Sequence, residues 1–235
     1  CAALVKPVCD DNGIQLIGRS LVMGNSLEEV HRAKLVGEAF CHNFKEVNTL
    51  STHFHSMWSE LSEQEGNGDK DPFRRGNVKA RIRMIYLYDV AQHNNGMVLS
   101  TDNWTEYLLG FWTLHGDVGD FGPIQSLWKT EVYSIAEWLV ENELLGRSAI
   151  ALSECIHCHA TDGLGITKTD LDQILPGWSG TSRDGYAEVD KELMDIQMGK
   201  MFNISSPVVK RFFTSSYKRT NPYNINREKI VKHDE

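Results

Sequence analysis

Apolar and polar positions along the chain follow two rhythms, one of period two and one near 3.6. CAALVKPVCDDNG, from Cys1, reads as a helix already under way that ends near Asn12-Gly13. IQLIGRSLVM (14–23) has the density of a buried strand running into a loop. SLEEVHRAKLVGEAF then predicts a helix with Ser26 at its N-cap and Glu29 three residues on, a capping box. NFKEVNT (43–49) predicts a short second strand. The polar, Gly-rich stretch 64–76 predicts a mobile loop. NVKARIRMIYLYDVAQH (77–93) predicts a helix that places Val78, Ile82, Ile85 and Tyr86 on one face. GMVLST (96–101) reads as a strand, and NWTEYLLGFW and KTEVYSIAEWLVEN (129–142) as helices. Residues 163–183 read as loop, helices follow near 184–200 and 206–216, and the chain closes on a polar tail. This alternation predicts an α/β fold, a Rossmann-like parallel sheet with helices on both faces.

Composition narrows the function classes. In 235 residues, 41% are hydrophobic and 24% charged, as in an ordinary globular protein. The net charge of −8 argues against a general nucleic-acid surface, and no apolar run approaches eighteen residues, which argues against a membrane span. No signal-peptide pattern is read, and five cysteines are too sparse and odd a set for a disulfide scaffold. The expected location is therefore cytoplasmic.

Two of those cysteines stand in CIHCHATDGLG (155–165), where Cys155, Cys158 and His159 spell the C-x-x-C-H pattern of a haem tether. Zinc is the other reading, with His157 and His159 as helpers, but no second cysteine pair lies at a useful spacing. Incidental cysteines are the favoured reading, bystanders on a strand that leads in to Thr161. The small, Gly-rich segment after them suits a backbone that approaches a ligand closely.

The chemistry concentrates in residues 76–131. Asn77 and Arg81 lie one helical turn apart. The strand ending in Thr101-Asp102-Asn103 leads into a helix, the place where ligands bind in α/β sheets, and a helix N-terminus favours negative charge. Glu106 follows one turn in, Asp117 and Asp120 sit in a Gly-rich loop, and Lys129 opens the next helix. Taken singly, Thr101 or Asp102 is an N-cap, the loop acids are turn residues, and Glu106, Arg81 and Lys129 are solvated surface groups. Taken together, acids, a lysine and an arginine around Gly-rich turns fit a magnesium–polyphosphate site.

Their order resembles ammonia-dependent NAD synthetase, of the ATP-pyrophosphatase superfamily. The carrying residues are Asn77-Val78-Lys79-Ala80-Arg81-Ile82-Arg83-Met84, Ser100-Thr101-Asp102-Asn103-Trp104-Thr105-Glu106, Gly110-Phe111-Trp112-Thr113-Leu114-His115-Gly116-Asp117, Asp120-Phe121-Gly122-Pro123 and Leu127-Trp128-Lys129. GYAEVDKEL and SYKRTNP extend the likeness more loosely over most of the chain. The resemblance implies an adenine-nucleotide-hydrolase-like fold, a homodimer, and amidation of deamido-NAD by ammonia. The nicotinate carboxylate attacks the α-phosphorus of ATP, pyrophosphate leaves, and ammonia displaces AMP to give NAD.

Carried over by position, Glu106 is a Mg2+ ligand. Arg19, Thr101, Lys129 and Thr161 bind ATP, and Arg81, Leu114, Asp120, Tyr217 and Lys218 bind deamido-NAD. Asp117 and Lys129 are the catalytic candidates, Asp117 on the ammonia side. Leu114 stands where the family has a lysine and Tyr217 where it has a histidine, and the acidic loop is one residue shorter. The Ser-Gly-Gly-x-Asp-Ser phosphate loop does not occur in residues 1–235; Cys1-Ala2-Ala3-Leu4 resembles the residues just after it. The expectation is a single synthetase domain over 1–235 that continues upstream, without a glutaminase domain. Two alternatives stay open: a related ligase acting on another carboxylate, and a non-catalytic dimeric nucleotide-binding homologue. The loops 64–76 and 164–183 are expected to order over ligands.

Overall fold

A computed structural model of the protein describes residues 1–68, 71–161 and 163–221. Asp162 and the polar tail from Pro222 onward lie outside the described residues.

The chain opens with α1 (Ala2–Asp11), β1 (Ile17–Leu21), α2 (Leu27–Phe40) and β2 (Asn43–Val47). β1 and β2 pair in parallel, from Ile17 opposite Asn43 to Leu21 opposite Val47, so α2 is the crossover that parallel strands require. Side chains alternate between the two faces. On one face Phe44 packs against α2, where a Cβ at Gly37 would run into the phenyl ring. On the other face Leu21 and Val47 join Met23, Leu50, Phe54 and Ile82 in one core cluster, built with α3 (Leu50–Glu65) and α4 (Asp71–His93). The expected α/β arrangement, a parallel sheet with helices on both faces, is therefore present.

A second core lies under α5 (Trp104–Leu109), α6 (Lys129–Asn142), α8 (Leu171–Ile174), α9 (Ser182–Gln197) and α10 (Pro207–Thr214), around Leu109, Ile174, Tyr186, Val189, Leu193 and Val208. Between α6 and α8 runs α7 (Arg147–His157), and α11 (Ser216–Arg219) ends the described chain.

Several elements differ from the sequence expectation. Residues 71–76 belong to α4, not to a loop, because Asp71-Pro72 opens a helix well: proline suits the first turn, where its missing N–H costs nothing. Arg74 secures this start through Asp71 Oδ1 at 2.9 Å and the Gly66 carbonyl at 2.8 Å. Ile85 is 68% exposed, because the buried stripe of α4 is centred on Val78, Ile82, Tyr86 and Leu87. The strand expected at 96–101 reduces to one parallel bridge, Leu99 to Phe121. There Gly119 passes so close to the Val98–Ser100 backbone that any Cβ would collide with it. The N-cap of α5 is Asn103, not Thr101 or Asp102. Cys155 sits on a helix, not a strand, and Cys158 caps it. Ala151, Leu152 and Ile156 recur there at helical spacing and face the protein. The 163–183 stretch contains α8, and α9 begins at Ser182 behind the N-cap Thr181.

Candidate active site

The centre of the site is built by two helix starts. Asn103 Oδ1 accepts the Glu106 N–H at 3.1 Å, and Glu106 Oε2 accepts the Asn103 N–H at 3.1 Å. This reciprocal cap fixes the Glu106 side chain and leaves Oε1 for Lys129, whose Nζ lies 2.9 Å away. The pair is largely buried, with side-chain exposures of 18% for Lys129 and 13% for Glu106. The Lys129 ammonium also stands 5.1 Å over the ring of Tyr186. Burial pulls this ammonium's pKa down, and the Glu106 carboxylate more than reverses it, so Lys129 stays charged.

Both residues line a cavity of 490 Å³. Thr161, Glu29, Arg32 and Tyr133 line it too, and the first turn of α1 opens on it. Thr161 Oγ1 donates to Glu29 Oε1 at 2.8 Å. The other Glu29 oxygen takes the Ser26 N–H at 2.9 Å, completing the expected capping box of α2. Burial tends to raise the Glu29 pKa, and the hydrogen bonds from Thr161, Ser26 and Asn25 outweigh it, so the carboxylate stays ionised. Arg19 lines an adjacent 310 Å³ cavity with Asn25 and Gly163, and its Nη1 is held by Gly18 O at 2.7 Å and Asn43 O at 2.9 Å. The 163–165 backbone is held from α4: Arg83 donates to Gly163 O at 2.9 Å and Lys79 to Leu164 O at 3.1 Å.

A second group gathers on the 110–120 segment. Lys218 of α11 donates to Gly110 O at 2.7 Å and to Trp112 O. Burial lowers its pKa to about 8, with Arg211 adding to the effect. Asp117 Oδ1 accepts the Thr113 N–H at 2.6 Å. Although Asp117 keeps an exposed edge, the protein around it pushes its carboxyl upward. Arg81 donates to Leu114 O at 3.0 Å. Asp120 is held by Tyr88 Oη at 3.1 Å and the Val98 N–H at 2.9 Å.

The structure thus brings Glu106, Lys129 and Thr161 to one cavity, and Arg81, Leu114, Asp117 and Lys218 to a neighbouring segment. Tyr217 is 44% exposed on α11, and Thr101 is exposed outside the cavity lining. Asp102 links the groups electrostatically. Burial raises its carboxyl to about 7, and the charges of Glu106 and Asp117 add to this. In the sequence Glu29 carries only a capping signal, and Arg32 has no recognisable spacing. Cys155 and Cys158 are free thiols. Among the described residues no group of three or more His, Cys, Asp or Glu is arranged to hold a metal ion, which leaves the zinc reading without a ligand set.

Comparison with known proteins identifies the family. The model of the NAD synthase family matches residues 6–222. An NH(3)-dependent NAD(+) synthetase of Thermoplasma acidophilum is 36% identical over 157 residues, which is 65% of this chain and 57% of that protein. One from Wolinella succinogenes is 30% identical over 205 residues, 84% of this chain and 72% of that protein. Among solved structures, an NMN synthetase from Francisella tularensis superposes with a TM-score of 0.72 at 21% identity, covering 95% of this chain and 84% of that one; this likeness is one of fold. With its matching span and its relatives, the chain belongs to the NAD synthase family.

Proposed function

We propose that the protein amidates deamido-NAD with ammonia at the expense of ATP, giving NAD, AMP and pyrophosphate through an adenylated intermediate. The observation that carries this reading is the buried Glu106–Lys129 pair lining a cavity shared with Thr161 and the amino end of α1. A charged lysine and a hydroxyl are what a polyphosphate needs. The nicotinate carboxylate and the α-phosphate are both anions. Their approach is opposed by charge, so a preorganised cation at the developing negative oxygens supplies most of the acceleration. Lys129 takes that role, and Thr161 orients the phosphates.

Mg2+ fits the donor set. Glu106 offers hard carboxylate oxygens on the cavity, and this cation commonly uses one or two carboxylates together with substrate phosphates and water. When bound it would neutralise phosphate charge beside Lys129.

Arg81, Asp120, Tyr217 and Lys218 serve the dinucleotide, with Leu114 contributing its carbonyl to the Arg81 contact. Asp117 acts on the ammonia side. A carboxyl raised by its surroundings is a better base for ammonium than an ordinary aspartate, and the free ammonia it releases attacks the acyl carbon as AMP departs. Arg19 and Thr101 are assigned to the nucleotide from their family positions. The protein is further proposed to act as a cytoplasmic homodimer, without nucleic-acid partners. Among the described residues no helix is long and apolar enough to cross a membrane.

The test is NAD formation from deamido-NAD, ATP, Mg2+ and ammonium, with AMP and pyrophosphate released in equal amounts. Pyrophosphate released only when nicotinate mononucleotide replaces deamido-NAD would favour the related ligase. No pyrophosphate release with either carboxylate would favour the non-catalytic reading.

A further inference from the structure

The start of α6 poses a capping problem. The leading N–H groups of a helix have no partner inside it. Trp128, at the N-cap, offers no side-chain acceptor. The Lys129 N–H donates instead to Thr105 Oγ1 at 2.9 Å, and the Thr130 N–H to Asp190 Oδ2 at 2.9 Å. The Thr130 hydroxyl donates to the same carboxylate oxygen at 2.8 Å. The Thr105 hydroxyl closes the network, donating to Asp190 Oδ1 at 2.5 Å. Asp190, on α9, is 2% exposed.

One buried carboxylate therefore caps a helix that begins sixty residues earlier in the chain. Negative charge at a helix start is stabilised by the aligned peptide dipoles. A serine or aspartate at position 128 would satisfy an N–H equally well. It would not tie α6 to α5. The Asp190 network does, since Thr105 is the neighbour of Glu106, and Lys129 is the first residue of α6. Asp190 is absent from the cavity lining, so any influence on chemistry passes through the helices it holds.

We propose that Asp190 is the positioning residue for Lys129. By clamping the first turn of α6 to Thr105, it sets where the Lys129 ammonium stands relative to Glu106 and to the phosphates in the cavity. What Lys129 acts on rests on the reading under Proposed function; the clamp does not. Asp190→Asn is near isosteric, and it reverses the polarity of one hydrogen bond.

Its kcat for NAD formation should fall by about tenfold to a hundredfold, the cost of a misplaced group, while KM for deamido-NAD changes by less than about threefold. In a Lys129→Ala background the same substitution should change kcat by less than about threefold, because the group it positions is gone. Thr130→Val should resemble Asp190→Asn in milder form, and Thr130→Ser should restore the rate. Amide hydrogen exchange at Lys129 and Thr130, read in the ligand-free protein, should quicken in Asp190→Asn while the far end of α6 is unchanged. An undiminished kcat loss in the Lys129→Ala background, or protection retained at both amides, would overturn the proposal. If the unsubstituted protein makes no NAD, the functional reading fails and amide exchange alone decides whether the clamp exists.

Discussion

Asp102 should make the protein less stable as pH rises from acid to neutral, and Asp102→Asn should remove that loss. The carboxyl is held at about 7, against an ordinary 3.8, because burial and the neighbouring charges of Glu106 and Asp117 disfavour its ionised form. The native state therefore binds this proton more tightly than the unfolded chain does. Stability contributed by the protonated form is complete below about pH 4 and is lost as pH climbs to about 7. The full difference corresponds to about 4 kcal/mol, and some solvent contact reduces the working figure to about 2 kcal/mol. Asn keeps an oxygen for the Ser100 hydroxyl, which now lies 3.2 Å from Asp102 Oδ2. Urea unfolding of both proteins at pH 5 and pH 8 gives the comparison. Asp102→Asn should exceed the parent by about 1 kcal/mol more at pH 8 than at pH 5, since part of the loss precedes pH 5. A difference that stays constant across this range would refute the reasoning, since an uncharged replacement would then be relieving nothing.

Three further outcomes are expected. Lys129→Ala should lower kcat by about a hundredfold or more, and should destabilise the fold by about 3 kcal/mol in urea titrations, because Glu106 is left buried without its partner. Thr161→Ala should raise KM for ATP by about tenfold, the scale of one hydrogen bond to a charged group, with little effect on KM for deamido-NAD in steady-state assays. Lys218 loses its charge as pH rises through about 8, so binding of an anionic dinucleotide should weaken along that limb of a pH–kcat/KM profile, and the limb should move to higher pH in Lys218→Arg.

Local signals were the legible ones. The capping box of Ser26 and Glu29 and the full extent of α6 follow from near-neighbour spacing, and both are present in the structure. The Glu106–Lys129 pair was accessible through a familiar order of residues, although spacing alone could not say that the two side chains meet. Short elements were harder. In RSAIALSECIH the helix formers Ala149, Ala151, Leu152 and Glu154 outnumber the two isoleucines, and burial against α2 and α6 agrees with them. The 96–101 stretch is apolar enough for a strand, yet it makes a single parallel bridge, which depends on Gly119 twenty residues on. The Asp190 clamp could not be read locally at all. A buried aspartate on an amphipathic helix has no marker for the helix start it will cap, and only the packing of α9 against α5 and α6 reveals it.

Glu29 serves two structures with its two oxygens. One secures the first turn of α2, and the other holds the Thr161 hydroxyl. A hydroxyl proton has one acceptor at a time. A phosphate that takes Thr161 must therefore outcompete a carboxylate already in place, and it then stands beside that displaced negative charge. On the proposed reading, nucleotide entry at this corner is an exchange of partners, with Arg32 at hand to offset the repulsion. On the same reading, the Thr161–Glu29 bond makes the cavity select by charge as well as by shape. A neutral ligand gains too little from Thr161 to part it from Glu29, whereas a polyphosphate brings enough charge to make the exchange favourable.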